Sequence, residues 1–217
     1  YMKKIVNWSI GVLGIALVAT ILLVVFYSGP EEYTYEGPGG TYEFIYAKSK
    51  SAEVYFNYML VNVGDDSFTV PLRSSPYDVE NIPLDLRTRD EILVHGFDER
   101  WFKTRVLFTQ EPELANLTDQ GSVYAVNQVG LVVDQKGLFG LELEQGFTSI
   151  PSWDLGYDED SLITCDRAKS THSVIEIRWG EPGIFVERDN CVVLQANSKE
   201  NMVLVGDLLV MHLVGVF

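Results

Sequence analysis

Basic residues are scarce in this chain and cysteines scarcer still: 16 lysines and arginines stand against 31 aspartates and glutamates, and only two cysteines occur. Every acid lies after residue 30, whereas two of the bases, Lys3 and Lys4, precede it. A surface of that sign repels a phosphate backbone, so nucleic-acid binding is excluded as a function class. Cationic partners are favoured, or the charge merely keeps the chain soluble. Missing too are the marks of common chemistry. There is no G-x-S-x-G, S-x-x-K or H-E-x-x-H, and no glycine-rich phosphate loop, so no nucleophile, helical zinc pair or nucleotide cofactor is signalled. An enzyme is not thereby excluded, because catalytic groups assemble from distant residues.

What the sequence does contain is one long uncharged run, Ile5 to Ser28. As a helix it reaches about 36 Å, enough to cross a hydrocarbon core of about 30 Å. Lys3 and Lys4 precede the run and Glu31, Glu32 and Glu36 follow it, so the positive-inside bias predicts a cytoplasmic amino end and an extracytoplasmic remainder. The run exceeds a usual signal-peptide core and ends at Gly29-Pro30 without a small-x-small site, which favours a retained signal-anchor over cleavage. The expected location is the cell membrane and envelope, single-pass.

Cys165 and Cys191 both follow the anchor, and an even pair in an oxidising compartment reads first as a disulfide. Asn116-Leu117-Thr118 is a glycosylation sequon on the same side, whereas Asn7-Trp8-Ser9 falls at the membrane edge.

Four stretches follow from patterning: residues 1–30 as cytoplasmic stub and anchor, 31–40 as a glycine-, proline- and acid-rich spacer, 41–103 as a β-rich region, and 104–217 as an α/β region. Thr41 to Ala47, Glu53 to Val63 and Ser67 to Leu72 read as strands, the last two forming a hairpin. Glu91 to Val94 and Thr104 to Thr109 read as further strands. From Thr118, apolar residues at 123, 126, 129, 132 and 133 share one helical face, and Leu138 to Leu143 reads as a strand, which gives a strand–helix–strand unit. Ser173 to Arg178, Gly183 to Glu187 and Cys191 to Ala196 are expected to form an antiparallel meander. Asn197-x-x-Glu200 resembles a capping box opening an apolar carboxyl-terminal helix. The predicted class is α/β or α+β: a transmembrane helix followed by a mixed-sheet domain with two main helices.

The carboxyl region, from Cys165-Asp166 to Asp207-x-x-x-x-His212-Leu213-x-Gly215, resembles a module of single-pass, exported envelope proteins of archaea, and the resemblance extends back to Phe108-Thr109-Gln110-Glu111-Pro112. It implies an exterior location, paired cysteines and a strand-to-helix ending. No catalytic residue is implied.

Candidate sites are few. Asp154, Asp158, Glu159 and Asp160 gather carboxylates in one loop, suited to a hard cation but without the alternating order of a calcium loop. His95, His172 and His212 share no helical spacing. Asp207 is a charge inside an apolar helix, expected to pair with an arginine such as Arg178 or to face a solvated groove. Tyr33, Tyr35, Trp153 and Tyr157 are candidate contact residues. The first functional expectation is a non-catalytic anchored protein that binds an envelope protein or glycan, with no cofactor. The alternatives are a cell-wall hydrolase working with carboxylates or a histidine–acid pair, and a surface filament subunit.

Overall fold

The computed structural model describes residues 30–49, 54–63, 66–94, 103–117, 121–151 and 161–217. The uncharged run therefore lies outside the described residues, as do His95, Trp153, Tyr157 and the carboxylates at 154, 158, 159 and 160. Among the described residues no helix is long and apolar enough to cross a membrane.

Strands β1 (Glu31–Gly37), β2 (Gly40–Lys48), β3 (Tyr55–Val63) and β4 (Asp66–Leu72) form one antiparallel sheet in chain order, sheet A. Its alternation is the plain consequence of a two-residue side-chain period. Tyr35, Phe44, Met59, Val70 and Leu72 face the core, whereas Glu32, Thr34, Glu43 and Thr69 face out. Residues 31–37 are thus a strand and not a spacer. The acid-rich composition of Glu32-Tyr33-Thr34-Tyr35-Glu36 concealed a strict polar–aromatic alternation.

Two short helices follow, α1 (Pro76–Val79) and α2 (Thr88–Leu93). The second replaces the strand expected at 91–94. Asp90 and Glu91 sit in its first turn, where the helix dipole favours negative charge, and Ile92 and Leu93 are both buried. Fewer than two turns are too short for helical periodicity to show.

Sheet B contains β5 (Arg105–Gln110), β6 (Glu142–Phe147), β7 (His172–Trp179), β8 (Gly183–Arg188) and β9 (Cys191–Ala196), in the order β6-β5-β7-β9-β8. Between β5 and β6 lie α3 (Pro112–Leu117) and α4 (Gly121–Val133), and β5 pairs with β6 in parallel. The strand–helix–strand unit is therefore present, with its second strand four residues later than expected. Phe139 and Leu141 donate their amides to Val132 and Val133 at 3.0 and 2.7 Å, which ties this segment to the end of α4 before the ladder starts.

The last three strands are not a meander. β9 lies between β7 and β8, parallel to the first and antiparallel to the second. Cys191-Val192-Val193-Leu194 is buried on both faces, as a central strand requires, whereas Phe185, Glu187 and Arg188 of β8 are exposed. The connection at 180–182 passes over the end of β9, where the Gly180 amide donates to the Ala196 carbonyl at 3.2 Å.

Helix α5 (Lys199–Leu213) begins at Ser198, whose side chain accepts the Asn201 amide at 3.1 Å. The cap is one residue later than the expected Asn197. Every residue from Val205 to Leu213 is buried, so this helix is enclosed on all sides. Each fully buried leucine there contributes about 2 kcal/mol of hydrophobic stabilisation. It crosses α4 where Gly206 meets Ala125: a Cβ on Gly206 would lie 2.9 Å from the Ala125 Cα. One core joins both sheets to these helices.

The β1–β2 turn closes against the carboxyl end. A Cβ on Gly39 would sit 1.7 Å from the Gly215 carbonyl oxygen, so only glycine fits, and the Tyr42 hydroxyl donates to that carbonyl. The described architecture is α+β: two sheets, with few helices.

Candidate functional site

Three separate clusters of buried polar groups bear on function in the described fold. The first surrounds Asp207. Its Oδ2 accepts the backbone amides of Arg73 and Ser74 at 2.9 and 2.8 Å, and its Oδ1 accepts the Tyr124 hydroxyl at 3.0 Å. Gln128 donates to Tyr124 and to the Pro71 carbonyl, the latter at 2.7 Å. The Arg73 guanidinium lies 5.3 Å from the Tyr124 ring centroid and 5.7 Å from that of Phe56. Burial pushes the Asp207 carboxyl up to about 7, and the amides and hydroxyl act against this.

The expected pairing of Asp207 with Arg178 is absent. Arg178 instead bonds Glu176 at 2.6 Å and also Glu187, on the opposite face of sheet B from α4 and α5. A carboxylate met by two main-chain amides needs no cation, because those dipoles are fixed by the bend after β4. Nor does Asp207 face a solvated groove; its exposure is zero.

His212 is five residues further along α5, buried, with Nδ1 3.0 Å from the Phe217 carbonyl oxygen. Burial pulls its protonation below the ordinary histidine range. Its Nε2 makes no hydrogen bond among the described residues. Asp207 and His212 belong to one helix but not to one site. His172 has Nε2 2.7 Å from the Arg167 carbonyl oxygen, a local structural bond.

A second cluster was not signalled by sequence. Lys103 is 1% exposed, donates its Nζ to the Glu91 carbonyl, and is pushed down to about 8 by burial. Glu91 Oε2 in turn accepts the Asn190 amide at 2.5 Å, where Asn190 takes the left-handed φ of 62°. A lone lysine before a strand looks like a solvated residue, and no pattern marks its burial.

The third cluster joins the disulfide. Cys165 and Cys191 are bonded, with Cα atoms 5.5 Å apart, and pack with Leu107, Ile163 and Val174 on the far face of sheet B. Glu176 Oε2 lies 3.4 Å from the Cys165 sulfur. Asn116 lies in α3. Among the described residues no group of three or more histidine, cysteine, aspartate or glutamate side chains is arranged to hold a metal.

The described residues include two open surface concavities. One of about 390 Å³ lies on the outer face of sheet A and carries Glu32 and Glu43 beside Ile45 and Leu60. The acid of a hydrolytic pair is held protonated by a dry pocket, and both of these side chains are exposed to water. The other, about 470 Å³, runs between α4 and β6, lined by Val126, Gly130, Leu131, Asp134, Lys136 and Leu143. Val123 and Leu131 project from the same helix, 55% and 53% exposed.

The contact aromatics also differ from expectation. Tyr35 is buried and Tyr33 stacks on Phe44 at 5.2 Å, its hydroxyl bonding Asn57 at 2.8 Å. Among the described residues the exposed rings are Tyr46, Tyr55, Tyr77, Trp179 and Phe185. Comparison of the chain with family models, with curated proteins and with solved structures finds no match.

Proposed function

We propose that the chain is a single-pass, membrane-anchored envelope protein whose extracytoplasmic domain binds another envelope protein. The observation that carries the reading is the Cys165–Cys191 disulfide. Such bonds persist in oxidising compartments and are rare in the cytosol, and this one follows an uncharged run of spanning length flanked by lysines before and acids after. The resemblance to exported archaeal envelope proteins agrees with that placement.

A protein partner suits the α4 groove better than a glycan. Its lining joins the aliphatic Val126, Leu131 and Leu143 to Asn127, Asp134 and Lys136 and contains no aromatic ring, whereas sugars stack on aromatic faces. The buried titratable clusters are engaged in holding the fold together, which favours binding over catalysis.

The test has two parts. Alkaline carbonate should leave the full chain in the membrane pellet, and protease added outside intact cells should cleave the carboxyl part. A photo-crosslinking residue at position 131 should then give one discrete protein adduct in native membranes, abolished by Val123→Asp. Extraction by carbonate would remove the anchor reading, and glycan-only adducts or none would remove the protein-binding one.

A further inference from the structure

Sheet A has two unlike ends. At one, the β1–β2 turn is packed against Gly215 and Val216, and the nearby charges include Glu36, Asp66 and Arg89, the last acting on Tyr42. At the other, Glu31 stands opposite Tyr46, and Lys48 opposite Tyr55. The rings of Tyr46 and Tyr55 stack with centroids 5.1 Å apart, yet they remain 40% and 43% exposed. Leu72 pairs with Asn57, which brings the exposed Arg73 to this same end, its guanidinium beside the rings of Phe56 and of Tyr124 in α4. Two cations, Lys48 and Arg73, thus accompany the glutamates 31 and 32 and the exposed aromatic pair.

Chain connectivity gives this end a particular neighbour. The uncharged run ends at Ser28 and β1 starts at Glu31. Three residue steps span at most about 11 Å. If the run crosses a bilayer, the Glu31 end of the sheet must lie within that distance of the lipid surface, whereas the Gly37 end is six residues, about 20 Å, further along β1. Tyrosine is the side chain suited to that depth, because its ring prefers the apolar side and its hydroxyl the wet one. Lysine and arginine reach lipid phosphates from the same level.

We propose that the Tyr46–Tyr55 end of sheet A is a lipid-facing surface, with both rings at headgroup level and Lys48 and Arg73 directed to phosphate. The proposal rests on the anchored reading above. It adds an orientation: sheet A stands on the bilayer with its Glu31 end toward the lipid.

The experiment uses the full chain in phosphatidylcholine vesicles containing nitroxide-headgroup phosphatidylcholine. Tyr55→Trp and Tyr46→Trp, each exposed and conservative, are compared with Thr41→Trp near the other end of the sheet, and with the unsubstituted chain to subtract its own tryptophans. Tryptophan at 55 or 46 should lose most of its added emission to the nitroxide, and tryptophan at 41 should lose little. If the chain stays with the vesicles after carbonate but positions 46 and 55 are unquenched, or position 41 is quenched equally, the orientation is wrong and the anchor stands. If carbonate releases the chain, the anchored reading has failed first.

Discussion

Tyr124 donates its hydroxyl to Asp207 Oδ1 at 3.0 Å, which joins the two longest described helices through a carboxylate that also holds the bend after β4. This one side chain therefore couples sheet A to the helical layer. Asp207→Ala leaves the buried Ser74 amide without its acceptor and the Arg73 amide with only the Tyr124 hydroxyl oxygen at 3.1 Å, and is expected to cost about 2 kcal/mol, read as a lowered denaturation midpoint. Tyr124→Phe, which leaves the two amide bonds intact, should cost about 1 kcal/mol.

The same carboxylate sets a pH dependence. Its folded value is about 7, against about 3.9 for an unfolded aspartate. Between the two the folded chain keeps a proton that the unfolded chain has lost, so stability from this group is complete below about pH 4 and is lost as pH rises through about 7. The full span is up to about 4 kcal/mol. Asp207→Asn should flatten the change in unfolding midpoint over that interval. A slope identical to that of the unsubstituted chain would assign the dependence to other groups.

How much of this was readable in advance depended on whether a signal was local. The β3–β4 hairpin, the β5–α4–β6 unit, α5 and the disulfide each follow from patterns within one segment. The placement of β9 between β7 and β8 was readable only from the burial that Cys191 to Leu194 demand on both faces, a tertiary property. The Tyr33-x-Tyr35 pair was judged by its acidic neighbours and not by its alternation. Asp207 stood out as a charge inside an apolar helix, but its partners are neither an arginine side chain nor solvent; they come from residues 73, 74 and 124, and main-chain amides carry no sequence mark.

Lys103 shifts stability in the opposite sense. Burial lowers it to about 8, below the unfolded value of about 10.4. The unfolded chain binds the proton more readily in between, so the cost of burying the ammonium, up to about 3 kcal/mol, is complete below about pH 8 and fades as pH rises to about 10.4. Lys103→Met gives up the bond to the Glu91 carbonyl, worth about 1 kcal/mol, and should still raise the midpoint at neutral pH. The advantage should shrink by about pH 10. A loss of stability at both pH values would mean that the carbonyl bond outweighs the buried charge.

The disulfide closes a sequence separation of 26 residues, and on the chain-entropy estimate it stabilises the fold by about 3.5 kcal/mol. Cys165→Ala with Cys191→Ala should lower the denaturation midpoint accordingly. A reductant should lower the midpoint of the unsubstituted chain and leave that of the double variant unchanged. Equal sensitivity of the two would show that the effect lies elsewhere.

The helix crossing offers the sharpest test of packing. Gly206→Ala sets a new Cβ 2.9 Å from both the Cα and the Cβ of Ala125, and neither is the movable end of a flexible side chain. The helices must separate, which typically costs about 1–3 kcal/mol. Against this, alanine is better than glycine in a helix by about 1 kcal/mol, so the variant reads the difference. Adding Ala125→Gly removes the facing Cβ but not the facing Cα, and should restore only part of the loss. Because Asp207 and Tyr124 are the neighbours of this contact in sequence, separation at Gly206 must also stretch their bond. Gly206→Ala in an Asp207→Asn background should therefore cost less than in the unsubstituted chain, a non-additivity that a double-mutant cycle measures directly. Strict additivity would mean that crossing and carboxylate bond hold the helices independently.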